Sequence, residues 1–122
     1  MRKRVLLIED EANIATALGF LLARDGWDVR THADGADALE VIADARPDLV
    51  ILDMLLPGRS GLDILRSLRA VPATRALPVL MLTARGAAAD RALAETSGAT
   101  DFMAKPFSNA QMLASVRALV AP

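Results

Sequence analysis

Short apolar runs alternate five times with segments whose apolar residues fall at helical spacing, and this alternation constrains the fold more than any other feature of the chain. The runs are RVLLI at 4–8, WDVRT at 27–31, DLVIL at 48–52, LPVLML at 77–82 and DFMA at 101–104. Between them Ile14, Leu18, Leu21 and Leu22 share one helical face. Leu39 and Ile42 do the same, as do Leu62, Leu65 and Leu68, and then Met112, Val116, Leu119 and Val120. Gly26, Gly35, Pro47, Pro57-Gly58, Gly61, Pro72, Pro78, Gly86, Gly98 and Pro106 fall between these segments, where turns belong. The pattern predicts parallel strands joined by right-handed crossovers with helices on both faces, a doubly wound α/β domain of five strands and five helices.

Length and composition agree with one such unit. A chain of 122 residues encloses a single core without disulfides, so residues 1–122 are read as one domain. An apolar share of 53% with only 3% aromatics makes that core aliphatic, which suits helix-on-sheet packing. The formal net charge of -1 leaves no basic field for nucleic acid or an anionic membrane, so DNA binding by this chain alone is not expected. The absence of Cys excludes a thiolate nucleophile and Cys-ligated zinc. The opening MRKRVLLIEDEA starts like a signal peptide, but its apolar run ends at Ile8, before Glu9, Asp10 and Glu11. No run approaches the roughly 18 apolar residues of a membrane span. A cytoplasmic protein is expected.

Ligands of an open parallel sheet sit at the carboxyl ends of its strands, where strand order reverses. The polar residues at those ends are Glu9, Asp10 and Glu11 after the first run, Asp53 after the third, Thr83 after the fourth and Lys105 after the fifth. If the order is 2-1-3-4-5, the first and third strands are neighbours, and Glu9, Asp10 and Asp53 come close together. Carboxylates in such a space repel one another unless a cation neutralises them. An oxygen-only ligand set suits Mg²⁺ better than zinc or copper. Lys105 and the Thr83 hydroxyl add a point charge and a donor that suit phosphoryl oxygens. Asp53, at the tip of VILDMLLPG, then reads as a nucleophile facing in-line attack on phosphorus, with Pro57, Gly58 and Gly61 shaping the loop behind it.

Four stretches carry a resemblance over essentially the whole length: LLIEDE at 6–11, LVILDMLLPGRSGLD at 49–63, PVLMLTA at 78–84 and GATDFMAKPF at 98–107. Together they resemble the receiver domain of two-component response regulators, the CheY-like family. The resemblance implies the flavodoxin-like strand order 2-1-3-4-5, which periodicity alone does not fix. It also implies that Asp53 accepts a phosphoryl group from a sensor histidine kinase or a histidine phosphotransferase. By the same resemblance Asp10 and Asp53 ligate Mg²⁺ directly, Glu9 does so through water, and the backbone carbonyl of Leu55 is a further ligand. Thr83, the Ala84 amide and Lys105 would hold the phosphoryl oxygens. Phe102 is similar to the family's switch aromatic, which turns inward when the Thr83 hydroxyl moves towards the phosphoryl group, and Lys105-Pro106 resembles its cis peptide. Such a domain is a phosphoacceptor switch more than an enzyme: it catalyses transfer onto its own aspartate and slowly hydrolyses the product. Its downstream protein target binds the face built from the fourth helix, fifth strand and fifth helix.

Plainer readings stand beside these. Asp10 or Glu11 could cap the helix at 12–24, Phe102 could be ordinary core, and His32, the only histidine, is read as a surface residue ending the edge strand. Lys105 is one of two lysines among fourteen basic residues, a mild sign that a compact charge is wanted there. A flavodoxin-like cofactor binder would need a Gly, Ser or Thr-rich loop after the first strand, where EDEAN has the wrong charge. A phosphatase of the haloacid dehalogenase type would carry its D-x-D after the first strand, and a structural pseudo-receiver would lack Asp53 or Lys105. Two departures from the receiver pattern are Arg59, where an apolar residue is usual, and Thr100, where a second acid is common. In the winged-helix DNA-binding subfamily the output face carries charged pairs. Arg91 and Asp101 fit that pattern, whereas Thr96, Thr100, Gln111 and Ser115 do not. A monomer is therefore expected, either a stand-alone receiver or one cut from a larger protein.

Overall fold

The computed structural model describes residues 2–83 and 88–120. In chain order the elements are β1 (Arg4–Ile8), α1 (Ala12–Arg24), β2 (Asp28–His32), α2 (Ala38–Ala45), β3 (Leu49–Asp53), α3 (Gly61–Ala70), β4 (Val79–Thr83), α4 (Ala88–Thr96), β5 (Asp101–Ala104) and α5 (Asn109–Leu119). The sheet runs β2-β1-β3-β4-β5 with every neighbouring pair parallel, which is the expected doubly wound order.

Alternation along the strands divides the core into two layers. Leu6, Ile8, Val50, Leu52, Val79 and Met81 face α2, α3 and α4, where they meet Ile42, Ile64, Leu65, Leu68 and Ala94. Val5, Leu7, Leu49, Ile51, Leu80 and Leu82 face α1 and α5, against Leu18, Leu22, Met112, Val116 and Trp27. Strands covered on both faces have no polar side to show, so β1, β3 and β4 read as continuous apolar runs. The edge strand β2 is largely exposed and carries Asp28, Arg30 and Thr31.

Two strands run past their apolar runs. Asp53 and Thr83 are the last residues of β3 and β4 rather than the first residues after them. Pairing, not hydrophobicity, sets these ends. Asp53 is in register with Leu82, and Thr83 with Ala104. The ladder continues outward as Met54 N–H donates to the Leu82 carbonyl at 2.8 Å and Lys105 N–H to that of Thr83 at 2.8 Å.

Local devices fix the elements next to these ends. The Ser60 hydroxyl caps α3 by accepting from Asp63 N–H at 3.2 Å. At α5, Ser108 and Gln111 form a reciprocal capping box. A Cβ on Gly61 would lie 2.1 Å from the Asp53 carbonyl oxygen, so only glycine lets α3 start this close behind the strand tip. Gly58 has φ +80°, the left-handed conformation needed to turn the chain from β3 back towards α3.

Candidate functional site

The first, third and fifth strands deliver four charges to one spot. Carboxylate oxygens of Glu9, Asp10 and Asp53 all lie within 4.8 Å of one another. Lys105 Nζ reaches in from beyond β5, 2.6 Å from Glu9 Oε1, 3.1 Å from Asp53 Oδ2 and 3.4 Å from Glu11 Oε1. Backbone amides hold the carboxylates in place: Glu9 Oε2 accepts from Glu11 N–H at 3.1 Å, and Asp53 Oδ1 from Leu55 N–H at 3.3 Å. Glu9 and Asp53 are buried, whereas Asp10 and Glu11 are exposed.

The charges do not balance. Burial pushes the Glu9 carboxyl above its usual range; Lys105 and the Glu11 amide oppose that rise, and nearby Asp53 adds to it. Burial alone would lower the Lys105 ammonium, but its hydrogen bonds to Glu9 and Asp53 outweigh that and hold it above its ordinary value. One ammonium among several carboxylates leaves a surplus of negative charge carried by oxygen ligands alone. That donor set fits a small hard dication.

Thr83 is buried at the end of β4, beside β3. Phe102 is half-buried on β5, and the Lys105-Pro106 peptide is cis. Leu55 is 64% exposed. Ala84 lies outside the described residues. A cleft of about 650 Å³ opens beside Asp53 and Lys105, with Ile14, Leu18, Leu55 and Phe107 among its apolar walls. The helix-capping alternative does not hold: Glu11 occupies the N-cap of α1 and makes no side-chain cap bond, nor does Asp10. His32 ends the edge strand β2 as expected, partly exposed, with its Nε2 2.6 Å from Asp37 Oδ1.

The family model for the response regulator receiver domain matches residues 5–117. The chain belongs to that family. This receiver domain is 42% identical over 118 residues to the DNA-binding response regulator MtrA of Mycobacterium tuberculosis strain H37Rv, covering 97% of the chain and 50% of the relative. The counterpart in Mycolicibacterium paratuberculosis gives the same identity. The chain thus spans about half the length of the curated relatives it matches. Among solved structures, a Chloroflexus aurantiacus protein superposes with a TM-score of 0.95 at 34% identity, covering all of both chains. The BeF3-activated N-terminal receiver domain of Klebsiella pneumoniae RstA gives 0.91 at 31% identity, over 98% of this chain and 100% of that one. The receiver domain of the Pseudomonas aeruginosa sensor histidine kinase PA1611, whose active site cleft holds a coordinated magnesium ion, gives 0.91 at 29%, covering all of both chains.

Two parts of the receiver site were not visible in the sequence. Glu11, offered by the sequence only as a possible helix cap, lies within reach of Lys105, and Glu9 pairs with Lys105 directly. Nothing in the spacing of residues 9, 11 and 105 signals these contacts, because they depend on how far the Lys105 side chain reaches past Asp53 to the end of β1. No described helix is long and apolar enough to cross a membrane.

Proposed function

We propose that this receiver domain of two-component signalling accepts a phosphoryl group on Asp53 and uses it to change its partner-binding face. The observation that carries this reading is the placing of Lys105 against Asp53 at 3.1 Å, at the carboxyl edge of the sheet, with Glu9 and Asp10 alongside. An Asp53 oxygen attacks the phosphorus of a phosphohistidine; the new P–O bond forms as the P–N bond breaks, and the freed imidazole nitrogen takes up a proton. Lys105 then turns from the carboxylate to the phosphoryl oxygens, and the Thr83 hydroxyl donates to one of them. Glu9, Asp10 and Asp53, with the Leu55 carbonyl, would hold Mg²⁺, which when bound supplies charge neutralisation for the transferring group. The Ala84 amide is proposed as a further phosphoryl donor.

The added group brings nearly two negative charges, and gathering Thr83 and its loop around them biases a two-state equilibrium. Phe102 is proposed to follow Thr83, so that the face of α4, β5 and α5 changes for a downstream protein. The phosphodonor is proposed to be a sensor histidine kinase or a histidine phosphotransferase in the cytoplasm. Similarity to MtrA supports a second reading of the whole protein, in which this domain regulates a DNA-binding segment outside the sequence given.

The test is intact-protein mass spectrometry after incubation with acetyl phosphate and Mg²⁺. One phosphoryl addition is expected in the wild type, none in Asp53→Asn, and none when the divalent ion is chelated. A wild type that stays unmodified, or an Asp53→Asn variant labelled at full yield, would overturn the assignment.

A further inference from the structure

The guanidinium carbon of Arg91, on α4, stands 4.4 Å from the centroid of the Phe102 ring on β5. This is a close cation–π contact between the helix and the strand that form the output face. Glu95, one turn further along α4, lies 3.8 Å from Arg91 Nε and pairs with the guanidinium along the helix. The helix offers little else to hold the two elements together, for only Ala94 of α4 is buried. Phe102 itself is half-buried against the layer that includes Met81, its partner in register on β4. Thr83 is two residues beyond Met81 and therefore stands on the same side of the sheet.

We propose that Arg91 is a latch on Phe102: the stack holds the ring against α4 and opposes its movement towards Thr83, so Arg91 sets how readily the domain switches. The proposal rests on the phosphoacceptor reading above and adds its regulation. A ring that leaves the guanidinium loses the contact. A side chain that keeps positive charge but not the flat face of arginine keeps only part of it. A contact of this kind at an exposed position shifts a two-state equilibrium by roughly two- to five-fold.

The experiment uses the whole chain labelled with 4-fluorophenylalanine, which reports Phe20, Phe102 and Phe107 as separate ¹⁹F signals assigned by Phe→Leu variants. In the ligand-free protein Arg91→Ala is expected to move the Phe102 signal and leave Phe20 and Phe107 in place. Titration with beryllofluoride in the presence of Mg²⁺ is expected to reach half-saturation at a concentration two- to five-fold lower in Arg91→Ala than in the wild type, with Arg91→Lys between them. Arg91 is exposed and alanine is a stronger helix former, so the fold should hold. If far-UV circular dichroism shows otherwise, Arg91→Met carries the same test. A Phe102 signal that does not move, or a half-saturation point unchanged in the folded variant, overturns the latch. A wild type indifferent to beryllofluoride overturns the phosphoacceptor reading and the latch's regulatory meaning with it, and is told apart because it appears before any substitution.

Discussion

Lys105 Nζ lies 2.6 Å from Oε1 of Glu9, a carboxylate whose side chain has no exposed surface. The ammonium therefore keeps a buried partner whatever becomes of Asp53. Asp53→Asn removes one of three crowded negative charges and leaves this pair intact, so stability is expected to hold or to rise by up to about 1 kcal/mol. Lys105→Met leaves the carboxylates without their cation and should cost about 3 kcal/mol. Urea unfolding at neutral pH with divalent ions chelated checks both. An Asp53→Asn variant clearly weaker than the wild type would show that its pairing with Lys105 outweighs the repulsion.

The fold was legible because the strands alternate with helices at clear spacing, and three of the five strands are covered on both faces. Strand ends were less so. Asp53 and Thr83 are polar, and only register with Leu82 and Ala104 shows that they belong to the ladder. At the candidate site the residue types were legible in the motifs, but the Glu9–Lys105 contact was not, since it joins the two ends of the chain. In the sequence, Thr96, Thr100, Gln111 and Ser115 show only as absent charges. Three of them have structural work instead. Thr100 accepts from Val79 N–H at 3.0 Å and from Arg69 at 3.2 Å, Gln111 completes the α5 capping box, and the Ser115 hydroxyl donates to Asp101 at 2.8 Å.

Leu55 stands exposed at the mouth of the cleft while its own N–H holds Asp53 Oδ1 at 3.3 Å. A bulky apolar group there hinders the water that would attack an aspartyl phosphate, so self-hydrolysis is expected to be slow. Leu55→Asn should shorten the lifetime several-fold, followed as the decay of the phosphorylated band after the phosphodonor is removed. Arg85, two residues after Thr83 and expected from its bulk to hinder the same water, lies outside the described residues. An unchanged decay rate in Leu55→Asn counts against the idea.

Helix α4 is held to the sheet far less firmly than α1. Leu93 is the only large apolar residue of the segment at 86–98, and it is 44% exposed, which leaves Ala94 as the helix's buried contact. In α1, Leu18 and Leu22 are both buried and contribute about 2 kcal/mol each. The amides of Ala88–Thr96 are therefore expected to exchange faster than those of Ala12–Arg24 in the unphosphorylated protein. Hydrogen–deuterium exchange resolved by peptide checks this. Equal protection of the two helices would contradict it.

Arg117 of α5 donates through its guanidinium to both carboxylate oxygens of Asp25, the residue that ends α1. The hydrogen bond to Arg117 is the main cause holding the Asp25 carboxyl below its usual 3.8. The native state thus binds this proton less readily than the unfolded chain. The pair's contribution is present above the unfolded value and is lost as pH falls through the lower folded one. Arg117→Gln should melt slightly below the wild type at pH 7, and the gap in Tm should close as the pH is lowered past 3.8. A gap of constant size across that range would show that Arg117 acts by packing rather than by charge.

A symmetric dimer through α4, β5 and α5 requires the same patch to complement itself, so each absent charge is lost twice. The charges that do remain are already engaged within the subunit. Arg91 has Glu95 at 3.8 Å, a neighbour it keeps when Phe102 moves, while Asp101 accepts from Ser115 and from Phe102 N–H. Freeing them for contacts between subunits would break these interactions, in exchange for rim ion pairs worth about 0–1 kcal/mol each. Phosphorylation is therefore expected to leave the domain monomeric and its output face open to another protein. Analytical ultracentrifugation at tens of micromolar with Mg²⁺ and beryllofluoride should give a single species of monomer mass. A shift to dimer that Arg91→Glu or Asp101→Arg abolishes would show instead that the two charges are released on activation and used across the interface.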